Sequence, residues 1–191
     1  MIDALIVGLG NPGAQYRRTR HNVGQETVEL LARRANVTLK AGRDRALVAD
    51  ASLAGSSVVL AVPTTYMNDS GLAVAALMRR NSYLPVDRLV VVQDELDLAP
   101  GVVRVKVGGG LAGHNGLRSI VAQVRSPEFT RVRIGVGKPP SKEHGAGHVL
   151  SKMPPAEREL LDVAIERAAD AIEVLVAHGA DEAMRRYNSL T

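Results

Sequence analysis

One histidine and one carboxylate carry the clearest chemical potential in this sequence. His21 follows a glycine-containing turn and an arginine-rich stretch, and Asp94 comes directly after an apolar run that is typical of a strand. An imidazole exchanges protons near neutral pH, and a buried carboxylate often fixes its tautomer and stabilises the imidazolium. A lone histidine is more often structural than catalytic, but together the two residues predict general-base chemistry by His21.

Three asparagine side chains are also expected near the ends of strands. Asn11 follows the first apolar run, Asn68 comes after Pro63, and Asn115 precedes a predicted helix. An amide side chain can donate to a developing oxyanion and accept from a substrate N–H. Taken alone, Asn68 is explained more simply as a helix N-cap.

Two glycine-rich stretches invite different interpretations. Residues 8–13 match a dinucleotide-binding spacing, but such a loop should open a helix directly, and here a Pro-Gly turn and an arginine-rich stretch intervene. We therefore interpret residues 8–13 as a tight turn. Residues 108–116 contain five glycines around His114 and suit either a backbone that approaches a substrate closely or a flexible hairpin tip.

The composition excludes several kinds of site. There are no cysteines, which removes disulfides, thiolate nucleophiles and cysteine-ligated metals, and no Gly-x-Ser-x-Gly motif is present. Aromatic residues make up only 3%, which argues against base stacking as the main route to nucleic acid. Residues 1–150 carry 19 Lys/Arg against 12 Asp/Glu, whereas residues 151–191 carry 5 against 8. The basic excess favours a polyanionic partner for the first part, although an ordinary solvated surface would look the same.

The hydrophobic pattern predicts the elements that position these residues. Strands are expected at residues 4–7, 46–50, 57–62, 89–92, 102–107 and 132–136, and a mobile loop at 137–148. Helices are expected at 23–35, 70–80, 117–124, from the proline pair at 154–155 to Gly179, and at 182–187. This alternation predicts an α/β sheet covered on both faces, with ligands at the carboxyl ends of its strands.

Location is predicted from what the sequence lacks. No apolar stretch approaches the roughly 20 residues that span a bilayer. No basic segment followed by an apolar segment and a cleavage site begins the chain. We therefore expect a cytoplasmic protein without a membrane partner.

Five ordered blocks resemble the bacterial-type peptidyl-tRNA hydrolases, and the resemblance extends over most of the chain, from residue 5 to about 150. Together they are far more specific than any single motif above. They are Val-Gly-Leu-Gly-Asn-Pro-Gly (7–13) with Tyr16 and Thr-Arg-His-Asn-Val-Gly (19–24), then 63–71, 94–98, 108–119 and 131–137.

The resemblance implies a fold, an activity and a set of site residues. The fold is α/β, a single three-layer α/β/α domain over residues 1–191 around a twisted, mostly parallel mixed sheet. The activity is hydrolysis of the ester between peptide and tRNA by a monomer, with no metal, other cofactor, covalent intermediate or obligate protein partner. The resemblance gives His21 the activation of water, Asp94 the support of His21, and Asn11 the discrimination of blocked from free aminoacyl ends. It implies substrate contacts for Tyr16, Tyr66, Asn68 and Asn115, and a clamp on the tRNA 5′-phosphate for Lys106 and Arg133.

Two other functions stay open on the residues alone. A metal-dependent peptidase would use His21, Asp94 and His114 as a two-histidine, one-carboxylate site, although nothing in their spacing requires a metal. A non-catalytic RNA-binding module would explain the basic excess without any turnover.

Overall fold

The computed structural model describes residues 1–189. They form one seven-stranded sheet with helices packed against it. Its order is β2-β3-β4-β1-β5-β7-β6. The four central strands, β4, β1, β5 and β7, are parallel, whereas the pairs β2–β3, β3–β4 and β6–β7 are antiparallel. The mixed sheet of the predicted fold class is therefore confirmed. The strands are β1 (Ala4–Gly8), β2 (Lys40–Ala41), β3 (Ala46–Leu53), β4 (Ser56–Pro63), β5 (Leu89–Glu95), β6 (Val103–Val107) and β7 (Thr130–Gly135).

The helices match the predicted ones closely, with one exception. Residues 137–148 were expected to form a mobile loop, but the structure has a 3-10 turn (Lys142–His144) followed by a short helix there. That helix buries none of its residues, so it leaves no apolar periodicity in the sequence. The helices are α1 (Val23–Arg34), α2 (Ser70–Arg80), α3 (Asn115–Val124), α4 (Gly145–Val149), α5 (Pro155–His178) and α6 (Ala180–Tyr187).

A separate hydrophobic core lies on each face of the sheet. Side chains alternate along β1, so that Ile6 packs under α1, α5 and α6, whereas Leu5 and Val7 pack under α2 and α3. Both cores are built mainly from Val, Leu, Ile and Ala, as the low aromatic content requires. The sheet is thus covered by helices on both sides, and its functional residues must emerge at the strand ends.

Glycines allow the start of α1 to approach the centre of the sheet. A Cβ atom at Gly24 would overlap the carbonyl oxygen of Val92 in β5, and one at Gly8 would overlap the carbonyl oxygen of Gly24. Without side chains at these positions, the backbone of α1 lies directly against β1 and β5. This close approach brings the residues before α1 to the carboxyl end of β5.

We predict that Gly24→Ala destabilises the fold by about 1–3 kcal/mol, because an added methyl group in a packed interior forces the backbone apart. The measurement is the urea midpoint of unfolding. Gly147→Ala is the control, since a Cβ atom there would meet no atom within 4 Å and should cost nothing. Equal midpoints for the two variants would contradict this account of the α1–β5 contact.

Candidate active site

A buried histidine and a buried aspartate meet at the carboxyl end of β5. His21 lies in the 3-10 turn that precedes α1, and Asp94 lies near the end of β5. The Nδ1 atom of His21 is 2.9 Å from both carboxylate oxygens of Asp94. A carboxylate only accepts, so Nδ1 carries the proton and the lone pair of the neutral ring is on Nε2. Among the described residues, none bonds to this Nε2 atom.

A second histidine completes the cluster. The Nδ1 atom of His114 accepts hydrogen bonds from the backbone N–H groups of Gly116 (3.1 Å) and Leu117 (3.3 Å), and so caps α3. Its proton must therefore be on Nε2, which donates to Oδ1 of Asp94 at 2.8 Å. From the sequence, the one specific role considered for His114 was that of a metal ligand. Its role as the α3 cap and as a donor to Asp94 was not predicted. The available signal was its position directly before a predicted helix.

The electrostatics of the cluster follow from burial and from the shared carboxylate. Burial by itself would raise the pKa of Asp94, but the two imidazoles beside it hold that pKa well below its usual range. Burial would likewise lower the pKa of His21, yet the attraction and hydrogen bond of Asp94 outweigh burial and leave it raised. Asp94 is therefore an anion across the working pH range, and His21 is a strengthened base.

The cluster opens into a cavity of about 250 Å³. Asn115, the first residue of α3, lines this cavity together with His21, and α4 forms another wall through Gly145, Ala146 and Val149. The structure thus brings a base, its carboxylate and one of the three predicted amides together in a space that admits water and part of a substrate.

Asn11 lies in the neighbouring turn after β1 and is held by its own network. Its Oδ1 accepts from the backbone N–H of Met67 at 2.7 Å, and Asn22 bonds both backbone groups of Asn11 at 2.9 Å. Tyr66 and Asn68, both exposed, flank Met67. Asn11 therefore joins the turn after β1 to the turn after β4, and its Nδ2 is the end of the amide that these bonds leave available. Asn11 also lines a second cavity, of about 240 Å³.

The remaining predicted contacts lie outside the His21 cavity. Tyr16 is half-buried and is the last residue of a 3-10 turn. Its backbone carbonyl oxygen accepts a hydrogen bond from the hydroxyl of Thr19. In the described part of the chain, the lining of the cavity includes Asn115 but not Tyr16, Tyr66 or Asn68. Tyr66 and Asn68 instead flank Met67, whose backbone N–H binds Asn11, and Tyr16 follows the Asn11 turn along the chain.

A basic surface lies on the outer strands β6 and β7. Val105 and Val132 face the core under α5, so alternation places Lys106, Arg131 and Arg133 on the opposite face. Arg131 is fully buried and donates to the carbonyl oxygens at positions 108 and 110. The Nε atoms of both arginines lack a hydrogen-bond partner within the described residues. The sequence singled out Lys106 and Arg133 but missed Arg131, whose only signal is a charge directly before the strand predicted at 132–136.

Comparison with known proteins agrees with this geometry. A family model described as peptidyl-tRNA hydrolase matches residues 5–191. A peptidyl-tRNA hydrolase of Chloroflexus aggregans is 46% identical over 97% of this chain and 99% of its own length, and one of Mycobacterium tuberculosis is 47% identical over 97% of each. The solved peptidyl-tRNA hydrolase of Acinetobacter baumannii superposes with a TM-score of 0.94 at 42% identity, over 100% of this chain and 98% of that one.

The chain belongs to the peptidyl-tRNA hydrolase family. The family predicted from the five sequence blocks is thereby confirmed, and so is the enzyme class, a hydrolase of the peptidyl-tRNA ester. Within the described residues, no helix is both long enough and apolar enough to cross a membrane.

Family membership does not favour the metal-peptidase alternative, and the proton positions disagree with it as well. Ligand atoms of His21, Asp94 and His114 lie within 4.8 Å of one another, close enough in principle for a shared ion. His114, however, uses Nδ1 to cap α3, so its proton is on Nε2. That Nε2 atom is the one that would have to bind the metal. The three side chains are therefore arranged as a hydrogen-bonded cluster.

We predict that Asp94→Asn moves the acid limb of the pH–rate profile to lower pH. The carboxylate raises the pKa of His21, so its removal leaves burial free to lower that pKa. Because only neutral His21 accepts a proton, half-maximal kcat/KM is then reached at a lower pH. The plateau should also fall by about 10²–10⁴-fold, since the base is no longer oriented.

The measurement is kcat/KM against pH for hydrolysis of N-blocked aminoacyl-tRNA. Asp181→Asn serves as the control, because Asp181 is exposed in the first turn of α6. An acid limb in the Asp94 variant that coincides with that of wild type would show that Asp94 does not set the basicity of His21.

Proposed function

We propose that this chain hydrolyses peptidyl-tRNA by general-base activation of water on His21. The tautomer of His21 carries the proposal: both oxygens of Asp94 hold Nδ1, no described residue bonds Nε2, and His21 lines the cavity. An imidazole held in this way is ready to take a proton without first breaking another hydrogen bond. The chain has no cysteine and no serine elbow, which favours direct attack by water over a covalent intermediate.

The proposed reaction has two steps, attack by water and expulsion of the ribose oxygen. Nε2 of His21 takes one proton from water as its oxygen attacks the ester carbonyl, and Asp94 stabilises the imidazolium that forms. The tetrahedral intermediate then expels the 3′ ribose oxygen, which receives the proton from His21. The products are a tRNA with a free hydroxyl and a peptide carboxylic acid, which releases the second water proton to solvent and becomes a carboxylate, and the base is restored.

The amides have separate places in this proposal. Asn115 lines the cavity that holds His21 and is the candidate donor to the oxyanion, for which Asn68 was an equal candidate on sequence alone. Loss of one such donor typically costs about 10²–10³-fold in rate. Asn11, whose Nδ2 has no partner among the described residues, is assigned to discrimination of blocked from free aminoacyl ends. Tyr16, Tyr66 and Asn68 are assigned to contacts with the substrate.

The basic surface is assigned to the tRNA 5′-phosphate. Lys106 and Arg133 lie on the same face of neighbouring strands, and the ammonium group of Lys106 lies next to Gly109. The unpartnered Nε of Arg133 supports this assignment, because a buried donor without an acceptor is satisfied when an anionic oxygen binds.

We further infer a monomeric cytoplasmic enzyme with one domain over residues 1–191 and no obligate protein partner. A base, its carboxylate, the amides and the basic surface all come from one chain, so the chemistry does not require a second copy. The substrate supports the location, since peptidyl-tRNA is a product of translation.

We predict that His21→Ala lowers kcat for N-blocked aminoacyl-tRNA by about 10²–10⁴-fold, the usual contribution of a general base. The measurement is release of the blocked amino acid in the presence of a chelator, with unblocked aminoacyl-tRNA alongside. His178→Ala is the control, because His178 lies exposed at the end of α5. Near-wild-type turnover by the His21 variant would overturn the scheme, and tRNA binding without turnover by wild type would favour the RNA-binding module.

We predict that the double substitution Lys106→Ala and Arg133→Ala weakens tRNA binding and flattens its salt dependence. Each lost phosphate contact should lower the slope of log K against log salt by about one. The control is Lys40→Ala with Arg43→Ala, which removes two exposed charges at the opposite edge of the sheet. A slope unchanged in the first pair, or equally changed in both, would remove Lys106 and Arg133 from the clamp.

A further inference from the structure

The cavity wall formed by α4 belongs to a segment with few attachments to the body of the protein. Residues 138–151, here called the cover segment, contain no buried residue. Three of them, Gly145, Ala146 and Val149, line the His21 cavity. One end is paired on the surface through Lys138 and Asp97, which are both largely exposed. Something else must hold this segment against the site, because it has no core of its own.

Arg20 makes that attachment. Its Nη1 atom donates to the backbone carbonyl oxygen of His148 at 2.9 Å and to the hydroxyl of Ser151 at 2.7 Å. Its Nε and Nη2 atoms bind the two carboxylate oxygens of Glu157 at 2.9 and 3.0 Å. Among residues 1–189, the hydrogen bonds that reach the cover segment from outside come from Arg20 and from the carbonyl oxygen of Gly137.

The position of Arg20 in the chain gives this network its importance. Arg20 immediately precedes His21 in the same 3-10 turn, and the residue is only 7% exposed. One guanidinium thus joins the turn that carries the base, the segment that covers the cavity, and the first turn of α5. A planar fork with fixed donors can hold three acceptors at once, whereas a lysine ammonium on a flexible stem cannot reproduce that geometry.

We propose that Arg20 is a positioning residue that fastens the cover segment over the His21 cavity and so sets how tightly the substrate is held. The proposal rests on the assignment of this cavity to the ester and its neighbouring groups. A wall that touches the substrate equally in the ground and transition states contributes to KM more than to kcat. Arg20 therefore acts on binding, and Asp94 acts on the base.

The fold offers a matched control in Arg158. This residue is 8% exposed and binds both carboxylate oxygens of Glu26, at 3.0 and 2.6 Å, so that it ties α5 to α1. It makes no recorded bond to the cover segment. Arg158→Lys and Glu26→Gln therefore disturb a buried arginine–carboxylate pair of the same kind, also anchored on α5, without releasing the cover segment.

The test compares Arg20→Lys and Glu157→Gln with Arg158→Lys and Glu26→Gln. Two quantities are measured: the rate of tryptic cleavage after the exposed Lys142 of the cover segment, and the KM, kcat and pH profile for N-blocked aminoacyl-tRNA. The first readout needs no turnover, so it stands or falls independently of the assigned reaction. Urea unfolding of all four variants separates local release from global loss of stability.

We expect cleavage after Lys142 to accelerate on the order of tenfold in Arg20→Lys, and less in Glu157→Gln, because proteolysis follows local opening. KM should rise on the order of tenfold, with an unchanged acid limb, because the interactions lost are made before the chemical step. The Arg158 and Glu26 variants should match wild type in both. Cleavage and KM that change equally in the two pairs would overturn the proposal, and so would a shifted acid limb in Arg20→Lys, which would show that Arg20 acts on His21 itself.

Discussion

The structure depends on one buried carboxylate that accepts hydrogen bonds from two imidazoles. Asp94 is almost completely inaccessible, and a lone anion there would be costly without donors. His21 and His114 supply those donors. The two bonds to Asp94 place the proton of His21 on Nδ1. The cap of α3 engages Nδ1 of His114, so its proton is on Nε2. The negative charge of Asp94 and its hydrogen bond to Nδ1 then raise the pKa of His21 against the effect of burial. The same three side chains therefore meet two requirements. They provide hydrogen bonds for a buried charge, which the structure needs, and they orient a base, which the chemistry needs.

The fold supplies the approach that this cluster needs. Parallel β1 and β5 are neighbours, so the chain leaves both at the same edge of the sheet. The glycine contact of α1 with β5 then lets the turn before α1 reach Asp94, while the turn before α3 arrives from the other face. Helices on opposite sides of the sheet thus deliver one histidine each to a single aspartate, and the packing that stabilises the layers also determines the geometry of the site.

Much of this could be predicted from the sequence, for physical reasons that also explain what could not. Strands such as β1 are continuous apolar runs and α5 has a helical repeat, so periodicity identifies them. His21 and Asp94 stand out because their residue types suit the chemistry and their positions follow strands. By contrast, α4 buries nothing and leaves no pattern, and Arg20 lies 137 residues from its partner Glu157. Nor does the sequence show which nitrogen of His114 is protonated, because that depends on two backbone N–H groups placed only by the fold.

Catalysis by His21 depends on which ring nitrogen of each histidine carries the proton, so the most direct test observes these protons. The ¹⁵N chemical shifts of the His21 and His114 side chains, recorded above the pH at which His21 titrates, report which ring nitrogen of each is protonated. The account predicts a proton on Nδ1 of His21, with Nε2 bare, and the opposite tautomer in His114. A His21 ring protonated on Nε2 would contradict it, because the nitrogen that faces the cavity would then have no lone pair with which to take a proton from water.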